Sequence, residues 1–130
     1  SLLRSAAAAG VKDVLLSPSC AFAWSPKVLR AGQGAHFSLN IVEGADLVAF
    51  TQSFAGTSIA LSPSTATSLF KLDLTGAVAI LVGNEGAGLS EALQSAANIR
   101  AALPMPGGME SLNAAAAGAI ALFEVVRQQS

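Results

Sequence analysis

The run Ala77-Val78-Ala79-Ile80-Leu81-Val82-Gly83-Asn84-Glu85-Gly86-Ala87-Gly88-Leu89 decides how this chain is read. Its first six residues are apolar without a break, the pattern of a parallel strand covered on both faces. Three glycines follow in quick succession, where backbone can turn sharply and approach a ligand closely. Glu85 lies among them at the end of a buried strand, an odd place for a carboxylate kept only for solubility. A tight turn with an exposed acid is the plainer alternative. The run is not a phosphate-binding P-loop, because no Gly-Lys-Ser/Thr follows. It does not fit the G-x-G-x-x-G dinucleotide fingerprint either.

Outward from this run, strand-like and helix-like segments alternate. Residues 2–9 form a short helix pattern stopped by Gly10, which suits a C-terminal cap. Strand patterns follow at 11–16, 37–42 and 57–61. Between them, Ser25-Pro26 opens a helix over 27–31 with proline in its first turn, and 44–54 reads as another helix. A Ser/Thr/Pro-rich loop covers 62–68. After the glycine loop come a helix at 89–97, a strand at 99–103 and a Pro/Gly loop at 104–108. The longest helix spans 111–127, with an apolar stripe of Leu112, Ala116, Ala119, Ile120 and Phe123. Such alternation implies one α/β domain with a mainly parallel sheet flanked by helices. Ligands of such sheets bind beyond the carboxyl ends of the strands. The loops after Val82 and after Leu103 both leave by that route.

Composition narrows the function classes. At 130 residues and 52% apolar, the chain suits a single domain, residues 1–130, with a sizeable core. One cysteine, Cys20, excludes an intrachain disulfide and a cysteine-based metal cage, and with a single histidine, His36, it argues against a zinc site. A lone cysteine fits a reducing, cytoplasmic setting. Apolar runs stop well short of the roughly 18 residues of a membrane span, and Ser1-Leu2-Leu3-Arg4 lacks the form of a signal peptide. Seven basic residues against eight acidic ones give a net charge of −1, without the basic excess of a dedicated nucleic-acid-binding domain. Any RNA contact therefore falls to a local cluster or to another part of the protein; Lys27, Arg30 and His36 are candidates for such a cluster, but read better as a solvated face. The chain opens directly into a helix pattern, as a piece of a longer protein would, and a part before it is expected to carry the missing positive charge.

Two further features carry chemistry. In Leu103-Pro104-Met105-Pro106-Gly107-Gly108-Met109-Glu110-Ser111-Leu112-Asn113, prolines stiffen the loop and glycines let it bend. Ser111 is placed to cap the long helix, which leaves Asn113 inside the first turn with no capping role. Leu103, Met105 and Leu112 offer soft apolar surface, suited to an adenine ring and a sulfonium, or to an ordinary core. Arg4 is the one charge in the first helix. It is either solvated or a clamp for phosphate or carboxylate.

Together these pieces resemble the SpoU branch of the SPOUT methyltransferases, the TrmH-like RNA ribose methyltransferases. Leu3-Arg4-Ser5-Ala6 looks like the end of the family's first motif, whose asparagine would precede this chain. Residues 81–89 resemble the second motif. Residues 103–108 through Ser111-Leu112-Asn113-Ala114 resemble the third. The resemblance implies an α/β knot, with a deep trefoil near the C-terminus, although knots are rare. It implies S-adenosylmethionine as cofactor, with contacts at Leu61, Gly83, Asn84, Leu103, Met105, Leu112 and Ala114, and no metal. It implies methyl transfer to a ribose 2′-hydroxyl of RNA, ribosomal RNA before transfer RNA, by a homodimer in which Arg4 reaches the partner's site. Arg4, Glu85, Ser111 and Asn113 match the catalytic positions. An ordinary arginine, with a pKa above about 12, is a poor base. Arg4 is therefore expected to bind phosphate and stabilise the developing alkoxide. Glu85 and Asn113 would orient Arg4 or the ribose, and Ser111 would fix the loop. A base-methylating relative and a non-catalytic RNA-binding or dimerisation module are the alternatives.

Overall fold

The computed structural model describes residues 2–18, 39–83, 88–108 and 113–130. The expected helix at 27–31, with Cys20, Lys27, Arg30 and His36, lies outside them.

The first helix, α1 (Leu2–Ala8), is alanine-rich and ends where glycine allows it. Gly10 takes a positive φ of 81°. The Gly10 N–H donates to the Ala7 carbonyl at 3.1 Å and the Val11 N–H to that of Ala6 at 3.0 Å. That pair of bonds closes a helix with a left-handed residue just past its end. Strand β1 (Asp13–Leu15) then pairs in parallel with β2 (Asn40–Val42), Val14 opposite Ile41. Helix α2 (Leu47–Ser53) starts later than its sequence pattern, because Asp46 caps it by accepting from the Ala49 N–H. Gly44, at φ 65°, belongs to the turn before it.

Strand β3 (Thr57–Leu61) lies between β4 (Val78–Leu81) and β5 (Ile99–Ala101), parallel to both. With both edges paired, its Ser58, Ile59 and Ala60 have no exposure. Gly56 sits at the start of this sheet because nothing larger fits: a Cβ there would lie 2.2 Å from the Ala77 carbonyl oxygen. Ser58 and Asn98 stitch β3 to β5 by exchanging bonds. The Asn98 side-chain oxygen accepts from the Ser58 N–H at 2.8 Å, and the Ser58 hydroxyl accepts from the Asn98 N–H at 2.9 Å. Ile59, Leu69, Leu74, Ala101 and Ala121 form the core, with Leu61, Ile80, Leu103 and Val125 against it. Helix α3 (Glu91–Ala96), capped by Ser90, links β4 to β5. The path from Gly83 to Gly88 and from Gly108 to Asn113, on which the expected knot depends, is outside the described residues.

The last helix, α4 (Ala114–Gln129), corrects the expected stripe. Ile120 and Phe123 are exposed, at 40% and 45%, while Gly118, Ala121 and Glu124 face inward. The helix lies against β4 and α1, and such close approach selects small side chains for the contact. Its end is bound to the 72–76 turn by side-chain amides. Gln128 accepts from the Leu74 N–H at 2.7 Å and donates to the Leu72 carbonyl, and Gln129 donates to the carbonyls of Leu74 and Gly76. Glu124 anchors this arrangement, accepting from Arg127 at 2.7 and 2.8 Å and from Gln128 at 2.9 Å.

Those donors hold the Glu124 carboxyl well below its ordinary value of 4.5, down to about 2, with Arg127 the larger cause and Gln128 the next. A depressed carboxylate stabilises the fold above its unfolded pKa and loses that contribution as pH falls through its folded one. The expected outcome is a melting temperature that drops between pH 4.5 and pH 2, and drops less in Glu124→Gln. Thermal unfolding by circular dichroism across that range measures it, and equal slopes for the two proteins would contradict the assignment.

Candidate cofactor and catalytic site

The strand order β4-β3-β5 brings three carboxyl ends side by side. Leu61 ends the middle strand, Val82 and Gly83 leave β4 on one side, and Leu103 leaves β5 on the other. Leu61, Leu103 and Met105 are half-buried there, so soft apolar surface collects at one edge of the sheet.

Gly83 is the tightest point. A Cβ on it would lie 2.3 Å from the Gly88 carbonyl carbon and 2.4 Å from the Leu89 nitrogen. The chain that leaves at Gly83 thus returns directly onto it, and the loop has a closed neck. Gly88 completes the return with φ 68°. Close packing accounts for glycine at 83 and a left-handed backbone for glycine at 88. Asn84 and Glu85 lie inside that loop and outside the described residues.

The loop after β5 has a wall that sequence reading missed. Ala102 forms a parallel bridge with Ser68. Its N–H donates to the Thr67 carbonyl at 2.8 Å, and its carbonyl accepts from the Leu69 N–H at 2.9 Å. Nearby, the Ser62 N–H donates to the Ala101 carbonyl. A Ser/Thr/Pro-rich stretch reads as plain loop, and nothing local in it announces a partner more than thirty residues away. Beyond the bridge, Pro106 and Gly107 turn the chain, closed by a bond from the Gly108 N–H to the Met105 carbonyl at 3.0 Å.

At the far side of that loop the expected cap is corrected. Helix α4 begins at Ala114, and its cap is Asn113, whose side-chain oxygen accepts from the Ala116 N–H at 2.8 Å. Ser111 and Leu112 are outside the described residues. Asn113 is exposed and Ala114 half-buried. The sequence signal for this was present, since asparagine is as good a cap as serine.

Arg4 stands exposed on α1 and forms no ion pair among the described residues. Leu2 of the same helix packs against α4 and Val82, with Leu2 Cδ1 2.6 Å from where a Cβ on Gly118 would be. A step of two residues turns about 200° around a helix, so Arg4 lies on the face of α1 opposite Leu2. An open groove of about 390 Å³, lined by Ser17, Pro18, Asp46, Leu47 and Leu93 among others, touches none of the expected cofactor contacts.

The cap makes a direct prediction. Asn113→Ala lowers unfolding free energy by about 1 kcal/mol, while Asn113→Asp and Asn113→Ser keep most of it. Chemical denaturation of the three variants reads this.

Comparison with known proteins agrees with this geometry. The model of the SpoU rRNA Methylase family matches residues 1–123. The chain is 34% identical to the 23S rRNA (guanosine-2'-O-)-methyltransferase RlmB of Xylella fastidiosa, over 98% of this chain and 53% of that protein. It is 36% identical to the 23S rRNA (uridine(2479)-2'-O)-methyltransferase of Streptomyces viridochromogenes, over 99% of this chain and 48% of that protein. The AdoMet-bound rRNA methyltransferase from Sinorhizobium meliloti superposes with a TM-score of 0.90 at 29% identity, over 99% of this chain and 51% of that one. The chain therefore spans about half the length of the relatives it matches. With a family match over nearly its whole length, this chain belongs to the SpoU rRNA methylase family.

Proposed function

We propose that the protein methylates ribose 2′-hydroxyls of RNA, ribosomal RNA first, with S-adenosylmethionine as donor. The observation that carries the proposal is the convergence of Leu61, Gly83 and Leu103 on three adjacent strand ends, with Gly83 at a neck that excludes any side chain. Relatives that share this fold are named for 2′-O-methylation of 23S rRNA, and the Sinorhizobium protein is titled as AdoMet-bound. The residues present fit that cofactor. Gly83 offers backbone at close range. Leu61, Leu103, Met105 and Ala114 supply apolar surface for the adenine and the thioether carbons, and Asn84 and Leu112 are assigned to the same cofactor by the family's motifs. The cofactor supplies a methyl group on a sulfonium, already a good leaving group.

The residues of the chain must then handle the nucleophile. Holding the hydroxyl in line with the methyl is worth up to about 7–11 kcal/mol at best. In this reading Arg4 binds the phosphate beside the target ribose and stabilises negative charge on its oxygen. Glu85 orients the ribose or Arg4, and Ser111 fixes the loop before α4. Asn113 holds the start of that helix.

Two features favour action as a homodimer. Arg4 is exposed on the face of α1 opposite Leu2, which leaves it accessible to a partner. Ile120 and Phe123 leave an apolar face exposed on α4, the helix that carries α1. With a net charge of −1, RNA selection falls mainly to other parts of the protein. Ribosomal RNA as substrate and a lone cysteine suit a cytoplasmic enzyme.

The test is methylation of ribosomal RNA by the full-length protein, followed by nucleoside digestion and mass spectrometry. A 2′-O-methyl nucleoside, with alkali resistance at that linkage, is expected; a base-methylated product would overturn the assignment. Arg4→Ala and Arg4→Lys both lower kcat, by about 100-fold or more for alanine, since lysine lacks the paired donors. Near-normal turnover in Arg4→Lys would remove the fork from the mechanism.

A further inference from the structure

We propose that Gln94 is a positioning residue for the cofactor: its side-chain amide holds the Leu89 carbonyl and so fixes the neck at which the chain returns onto Gly83. The inference rests on the reading of Gly83 as a cofactor contact given above.

Helix capping alone does not call for this bond. Helix α3 is already opened by Ser90, whose hydroxyl accepts from the Leu93 N–H at 3.2 Å and whose carbonyl accepts from the Gln94 N–H at 3.0 Å. Leu89 precedes that cap, so its carbonyl lies outside the helix's own bonding pattern. The Gln94 side chain nonetheless turns back past the cap, and its Nε2 donates to the Leu89 carbonyl at 3.0 Å. Both residues are half-buried, so the bond is partly withdrawn from water.

Leu89 is where the neck closes. Its nitrogen and the Gly88 carbonyl carbon belong to one peptide group, and that group is what a Cβ on Gly83 would strike, at 2.4 and 2.3 Å. Leu89 thus crowds Gly83 with its nitrogen and accepts from Gln94 with its carbonyl. A single residue of backbone joins the two contacts. The platform from which Gln94 reaches is itself fixed. Helix α3 packs against α2, and just past its far end Asn98 is bound to Ser58 of the buried β3. Gln94 therefore ties the return of the loop to the sheet whose edge Gly83 occupies. Loss of that bond lets Leu89 move off Gly83 and loosens the backbone offered to the cofactor.

The experiment is calorimetric binding of S-adenosylmethionine to the full-length protein and two variants. Gln94→Met keeps an unbranched, helix-favouring side chain without the donor. Gln94→Glu keeps the shape, and its carboxylate near the start of α3 favours the helix. Neither donates to Leu89 at neutral pH. Both are expected to raise cofactor Kd about threefold to tenfold, the range of one hydrogen bond's net worth. At saturating cofactor and ribosomal RNA, kcat stays within about twofold of wild type, since the bond serves binding and the reacting atoms are untouched. A Gln94 that serves only the helix predicts an unchanged Kd in the glutamate variant. An unchanged Kd in either variant overturns the proposal. The neck itself is read without cofactor, from the Gly83 amide resonance. That resonance is expected to move in both variants, and one that stays in place refutes the link between Gln94 and Gly83. Wild-type protein that binds no S-adenosylmethionine would refute the cofactor reading instead, with the Gly83 resonance still deciding the neck.

Discussion

Everything in this domain depends on β3 being hydrogen-bonded in parallel on both edges. A strand with two partners has no edge left for water, so its residues must be small or apolar, and Ser58, Ile59 and Ala60 are fully buried. The one polar side chain among them is satisfied by Asn98, which also joins β3 to β5. Because the neighbours run in the same direction, their carboxyl ends finish together. That alone sets Leu61 between the Gly83 loop and the Leu103 loop. A candidate ligand edge follows from strand order before any side chain is considered.

The domain is closed by absence of bulk as much as by its presence. Gly56 admits the Ala77 backbone, Gly83 admits the return of its own loop, and Gly118 admits Leu2. Each brings elements closer than any side chain would permit. Ala101 and Ala121 do the same in the core. Of the larger apolar residues of α4, Leu122 and Val125 pack inward beside these small ones, while Ile120 and Phe123 are left exposed. The face that packs is chosen by distance between backbones, and hydrophobicity comes second.

Side-chain amides serve the backbone in a similar way. Asn98, Asn113, Gln128 and Gln129 each bond main-chain groups that have no partner in a helix or ladder. Buried or half-buried backbone groups need such partners. For Asn113 the bond is the helix cap: its oxygen accepts from the Ala116 N–H and holds the start of α4.

Much of this was legible in the order of residues. The unbroken apolar run before Gly83 and the β3 run at 57–61 are strands because only paired backbone can bury such segments, and each is bounded by its own turn residues. The alternation of such runs with helix patterns determined the α/β class, and the motif residues determined the family. Caps were legible in kind but not in place: Asn113 and Ser111 are equally able, and only the start of α4 chooses between them. Three things belonged to tertiary structure alone. These are the pairing of Ala102 with Ser68, the inward face of α4, and the contact between Gly118 and Leu2. Each joins residues distant in sequence, and local periodicity carries no record of how closely two distant backbones will approach. The glycine run read first shows the division. Its residues determined that a loop lies there, and the return of Gly88 onto Gly83 decided its shape.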